Sequence, residues 1–277
     1  TTKVDHLITL FEQAKPHVNQ NTTPFKASYT IMMEHLETTD KLLKSHQDKR
    51  ALEKLKILPS LCVSCHTQDS SHQKLFTGMT RNHFTSDFEY AEFSYATRDY
   101  GTAITYYDKF LTTPGTYHSE QATETALERL LTLYVQVDKE PKMAGAYLEA
   151  YLPFIVEFPK IKVEVQEWVK DLKTLPDMYV KLLSGEKTLN FEDIEFLAKQ
   201  LEPRANQKMT PNEEKAVPYV VLRGFIYHYL NQNPKMEETP KLLYWLALCD
   251  KKLDYQFYHS FADVYLKECF TSYPNSD

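Results

Sequence analysis

Five consecutive residues, Cys62-Val63-Ser64-Cys65-His66, have the types and the spacing to do chemistry. Two thiols three residues apart on a helix share a face, and the next residue turns its imidazole beside them. This spacing fits covalent attachment of one haem, with Cys62 and Cys65 forming thioethers to the porphyrin vinyl groups and His66 ligating the iron from the near side. Three other readings compete. A structural zinc site would use the same thiols with His66 or His72, but no second CxxC or H-x-H pair completes four ligands. A thioredoxin-like dithiol calls for a βαβ setting, which the neighbourhood lacks. The third is chance occurrence of a short pattern.

The atom opposite His66 would decide the chemistry. A Met or His there saturates the iron for electron transfer, whereas an open or apolar far side admits a small gas. Met32 and Met33, on the apolar side of a nearby helix, are the leading candidates, although a Met at helical spacing also serves as core filling. His6, His17, His35, His46, His72, His83 and Met79 are alternatives, and five-coordinate iron remains open.

The elements that must position these residues read as helices throughout. Six glycines against 19 tyrosines and 15 phenylalanines in 277 residues leave few hairpin turns and many large rings, so the fold class expected is all-α. Val4, Leu7, Ile8 and Phe11 recur at helical spacing. A second helix is expected at about 25–47, and a short third carries Ala51, Leu52, Leu55 and Leu58. Pro59 is expected to end that helix and open a fourth, with the CxxCH motif in its first turns.

The run from Met32 to His66 resembles the last two helices of cytochrome c′ and its relatives, in which a Leu/Ala-rich helix precedes one bearing CxxCH. The resemblance covers residues 4–70. It implies a small helical-bundle haem domain over 1–83, with Cys62 and Cys65 as covalent anchors and His66 as the proximal axial ligand of one haem c. It also implies export to a periplasm or an equivalent compartment, because c-type haem is assembled outside the cytoplasm in bacteria.

From Phe84 the pattern changes. FTSDFEYAEFSYATRDYGTAITYYDKFLTTP has Ala91 in a first helix, a break at Arg98-Asp99-Tyr100-Gly101, and Ala103, Ile104, Tyr107 and Phe110 in a second. It resembles a tetratricopeptide repeat, a helix-turn-helix unit in which small residues let helices approach closely. Repeat-like pairs are expected at 119–137 with 140–157 and at 240–252 with 255–272. Between them, helices are expected near 161–173, 177–184 and 190–205, and a capping box at Thr210–Glu213 is expected to open another. The expected organisation is thus a haem bundle over 1–83 and a tetratricopeptide-like α-solenoid over 84–277.

The last unit has no polar capping helix after it, so Tyr255, Tyr258, Tyr265 and Phe270 are read as including an apolar edge for a second subunit or a further C-terminal segment, with plain core filling as the competing reading. Cys249 and Cys269 fall too far apart along an antiparallel hairpin for a disulfide and read as free thiols. The tyrosines and phenylalanines of 84–110 read as gap filling between repeat helices, with an electron-hopping route as the alternative.

Net charge of −6 without a dense Lys/Arg cluster argues against nucleic acid, and no apolar run is long enough to span a membrane. No Ser/His/Asp arrangement, phosphate loop or H-E-x-x-H motif is present, so an electron carrier or binding protein is favoured over an enzyme. The functional expectation is electron transfer with a redox partner docked through the repeats. The alternatives are a haem-based gas or redox sensor with an open distal site, and an interaction scaffold whose haem is mainly structural.

Overall fold

The computed structural model describes residues 3–17, 23–68, 78–113, 118–202, 216–233, 236–257 and 260–274. Among them the chain is all-α, with no strand. The helices are α1 (Lys3–Ala14), α2 (Thr23–Lys44), α3 (Asp48–His66), α4 (Asp87–Ala96), α5 (Tyr100–Thr112), α6 (Glu120–Thr132), α7 (Pro141–Tyr151), α8 (Pro159–Lys173), α9 (Asp177–Ser184), α10 (Phe191–Leu201), α11 (Ala216–Gln232), α12 (Thr239–Phe257) and α13 (Ala262–Ser272).

Local chemistry sets many of these boundaries. The Ser86 hydroxyl accepts from Glu89 N–H at 3.1 Å to start α4, and the Ser119 hydroxyl accepts from Ala122 N–H at 3.1 Å to start α6. Asn190 and Asp193 form a reciprocal capping box for α10. Pro141 and Pro159 occupy first helical positions, where a missing N–H costs nothing. With few glycines available, three tight turns use other residues in the left-handed region: His46 (φ 56°) between α2 and α3, Arg98 (φ 62°) between α4 and α5, and Lys139 (φ 60°) before α7.

One expectation is corrected at Pro59. The helix does not stop there: α3 runs through it to His66, and the CxxCH motif occupies its last two turns rather than the first turns of a fourth helix. Pro59 sits on the exposed side, while Leu55, Leu58 and Leu61 pack into the core on the other. That burial carries the helix past the one hydrogen bond the ring removes.

Successive helices pack as neighbours, α2 on α3, α4 on α5, α7 on α8, α11 on α12 and α12 on α13. Ala91 on α4 and Ala103 on α5 are fully buried. Contacts of α6 with α12 and of α2 with α13 join elements far apart in sequence, so packing is not confined to successive pairs. A single apolar cluster extends from Val4 to Tyr265. After α6 the chain winds wider, in a π-type stretch over Leu133–Val137 that is wholly buried. The helices expected at 161–173 and 177–184 match α8 and α9, whereas the third is shorter than 190–205, ending at Leu201. The capping box at 210–213 lies outside the described residues.

At the C-terminal pair, Cys269 Sγ donates to Pro240 O at 3.3 Å, and Cys249 is about 14 Å further along α12 at 1.5 Å per residue. All four cysteines are free. The edge expected there is corrected in part: Tyr265 is fully buried and shares a 2.9 Å hydrogen bond with Tyr227, while Phe270 is 77% exposed. The side chains of Tyr255 and Tyr258 lie outside the described residues.

Buried charge collects between α4, α5, α6 and α8. Arg129 Nε is 3.4 Å from Glu92 Oε1, its guanidinium lies over the Tyr95 ring, and Tyr107 donates its hydroxyl proton to Glu92. Burial, then Glu124 and Glu167, push the Glu164 carboxyl up to about 7. Folding therefore tightens Glu164's hold on its proton. The resulting stability is full below about pH 4.5 and is lost as pH rises toward about 7. At full burial such a displacement is worth ~3 kcal/mol, and solvent screening of a half-buried group brings it to on the order of 1–2 kcal/mol. Glu164→Gln, which keeps the neutral form, is expected to gain that amount over the parent at about pH 8 and almost nothing at about pH 4.5. Urea melts at both pH values check it.

Candidate functional site

The site is built on the C-terminal end of α3 and the turn between α4 and α5. Thr67 N–H donates to Val63 O at 3.0 Å and Gln68 N–H to Cys65 O at 3.2 Å, closing the helix over the motif. Tyr100, the first residue of α5, donates its hydroxyl proton to His66 O at 3.3 Å. Beyond the helix end, Gln68 Nε2 donates to Ser28 Oγ of α2 at 2.7 Å, and Asn231 Nδ2 of α11 donates to Gln68 O at 2.9 Å. The motif is thereby fixed by elements on both sides of residue 84.

His66 Nδ1 is 2.5 Å from the carbonyl oxygen of Ala96, the last residue of α4. A carbonyl can only accept, so the proton sits on Nδ1 and Nε2 holds the lone pair. Burial, then the Arg98 guanidinium, bring the imidazole down to about 4, with the Ala96 carbonyl opposing. His66 is therefore a neutral imidazole at physiological pH, with the lone pair fixed on Nε2 by the bond that Nδ1 makes.

The two thiols lie one turn apart and half-buried. Burial, then the neighbouring Cys65, push the Cys62 thiol up to about 11, and burial pushes Cys65 up to about 11 against the pull of Arg98 and Ser28. Dithiols that exchange readily have depressed pKa values, so this pair is poorly suited to that chemistry. Among the described residues no group of three or more His, Cys, Asp or Glu side chains could hold a metal ion, which leaves the zinc reading without a ligand set there. The donors present do fit a covalently held haem: two unpaired thiols at the right spacing and a neutral, oriented imidazole.

Met32 and Met33 both lie on α2, the helix that packs along α3, Met32 buried and Met33 half-buried. His35 is buried on the same helix, and its Nε2 is 2.7 Å from Lys54 O, which leaves the lone pair on Nδ1. His6, His46, His83 and Met79 are exposed, and the His17 side chain and His72 lie outside the described residues.

The sequence reading missed Ala96, Arg98, Ser28 and Tyr100 as parts of the site. Ala96 acts through a backbone oxygen, for which no residue type could give a signal. Arg98 was legible only as part of the Arg-Asp-Tyr-Gly break.

Comparison with known proteins returns no matching family model, no similar curated protein and no similar solved structure. Among the described residues no helix is long and apolar enough to cross a membrane.

Proposed function

We propose that this chain is an exported monohaem c-type cytochrome that exchanges electrons with a protein partner. Cys62 and Cys65 would hold the haem as thioethers, each S–H adding across one vinyl group, and His66 would bind the iron through Nε2. A haem held there supplies a one-electron Fe(III)/Fe(II) couple. The observation that carries the reading is the 2.5 Å approach of His66 Nδ1 to Ala96 O, which leaves Nε2 as the ligating nitrogen one residue from Cys65. Arg98 supplies a fixed positive charge near that imidazole, and Met32 and Met33 are the candidates for the far side of the iron.

The partner docks on the tetratricopeptide-like segment. Met143 and Tyr147, one turn apart on α7, and Phe154 just after it expose large apolar surface suited to such a contact. A second copy of the chain could instead use the C-terminal edge at Tyr244 and Phe270, which are 47% and 77% exposed.

The test is production in a host that matures c-type haem, followed by acid-acetone extraction. The colour is expected to stay with the protein and to be absent from Cys62→Ala/Cys65→Ala. A reduced spectrum unchanged by carbon monoxide supports electron transfer, whereas a carbon monoxide shift moves the reading to a gas sensor. Haem lost to the solvent, or none taken up, overturns the attachment.

A further inference from the structure

Glu128 of α6 is 1% exposed, and its Oε2 has no hydrogen-bond partner among the described residues. A carboxylate without a donor does not stay charged in so dry a place, so this group keeps its proton. Burial holds its carboxyl well above the usual range against the pull of Arg129, and Glu124, Glu164 and Glu92 add to the effect. Three helices thus bring acids to one place: α4 with Glu92, α6 with Glu124 and Glu128, and α8 with Glu164. Glu92 is paired with Arg129 and accepts from the Tyr107 hydroxyl, which leaves the other three as the excess of acid.

Glu124 and Glu164 are both half-buried. The charges that act on Glu164 are those of Glu124 on α6 and Glu167 on its own helix, and both are acids. α7 and α11 pack along α8, and their charged groups are engaged with others. Glu149 of α7 is paired with Lys173, Lys142 with Asp177, and Arg223 of α11 with Asp250. His228 of α11 is kept neutral by burial and by Lys139. Neighbouring carboxyls in a half-dry setting do not both ionise readily, so one stays neutral while a proton is present. Loss of that proton sets like charges on α6 and α8 against each other.

We propose that the approach of α6 to α8 is a proton-operated clasp: a proton held by Glu164 beside Glu124 keeps the α7–α8 pair against α6, and its loss loosens that pair. The pair carries the exposed Met143, Tyr147 and Val163, so the clasp makes the seating of that surface depend on pH. Glu164 titrates at about 7 in the folded chain, so the clasp is closed at about pH 6 and loosened at about pH 8. None of its groups lies on α3, and it stands without the haem.

Trp168, one turn beyond Glu164 on α8 and 3% exposed, reports on the clasp. In a Trp245→Phe background it is the sole tryptophan, and acrylamide, an uncharged quencher, probes its access to solvent. The quenching constant is expected to rise about threefold from about pH 6 to about pH 8, with helical circular dichroism unchanged, as the open form gains population. Glu164→Gln is expected to hold the low value at both pH values. Glu124→Gln, which removes the like charge, is expected to move the midpoint to lower pH and to shrink the rise. Quenching that does not change with pH, a rise that persists in Glu164→Gln, a midpoint unmoved in Glu124→Gln, or loss of helix over the same range would each overturn the proposal.

Discussion

Asp250→Ala is expected to cost about 3–5 kcal/mol, among the largest losses a single substitution in this chain should produce. Asp250 and Arg223 are both completely buried, with Arg223 Nε 3.0 Å from Asp250 Oδ1. The other carboxylate oxygen accepts from the Phe261 N–H at 2.8 Å, just before α13. The guanidinium also lies 4.7 Å from the centre of the Tyr227 ring and donates to Gln136 Oε1 at 3.4 Å. One carboxylate thus ties together α11, α12, the start of α13 and the π-type turn. Removing it takes the carboxylate away from a fully buried guanidinium and from the Phe261 N–H. Lys173 and Glu149 are paired at 2.7 Å, closer than the buried couple, but their side chains are 53% and 52% exposed. Their loss is expected to cost at most ~1 kcal/mol. Environment, not distance, separates the two. Against a total stability of about 5–15 kcal/mol, the Asp250 effect would move the urea midpoint far down with little change in slope. A loss below ~1 kcal/mol would contradict the buried-pair assignment.

Trp245→Ala should be comparable, at about 3–5 kcal/mol. Trp245 is fully buried on α12, its ring stacks on Phe191 of α10 at 5.9 Å, and its indole N–H donates to Glu202 Oε1 at 2.9 Å. The substitution opens a large cavity where α10, α11 and α12 meet and frees Glu202 from its donor. Trp245→Phe keeps most of the volume and loses the hydrogen bond, so about 1–2 kcal/mol is expected. Denaturant unfolding of the pair separates packing from hydrogen bonding. Equal losses for Ala and Phe would show that the Glu202 contact dominates and that the buried volume of the ring does not.

What could be read before folding was local. The helices near 161–173 and 177–184 and the break at Arg98-Asp99 follow from apolar spacing and turn residues within a few positions of one another. Pro59 misled because its effect depends on what the rest of the helix buries. The π-type winding at Leu133–Val137 has no turn residue to announce it, being held by packing on α11. Tyr265 could not be told from Phe270 by type or spacing, because its place in the core depends on Tyr227, 38 residues away. The cysteine spacing at the site was legible because it too is confined to one turn. The contact that orients the imidazole was not, since His66 and Ala96 are 30 residues apart and Ala96 contributes only its backbone. Nor was the bond beside it, in which Gln68 and Asn231 meet across 163 residues.

The central claim is that two sulfurs of this chain are bonded to one porphyrin. Intact-mass spectrometry of denatured protein from a haem-maturing host tests it most directly. The expected mass is that of the polypeptide plus one haem, with Cys62 and Cys65 unreactive to alkylation and Cys249 and Cys269 alkylated once unfolded. A bare polypeptide mass with four alkylated cysteines would contradict it.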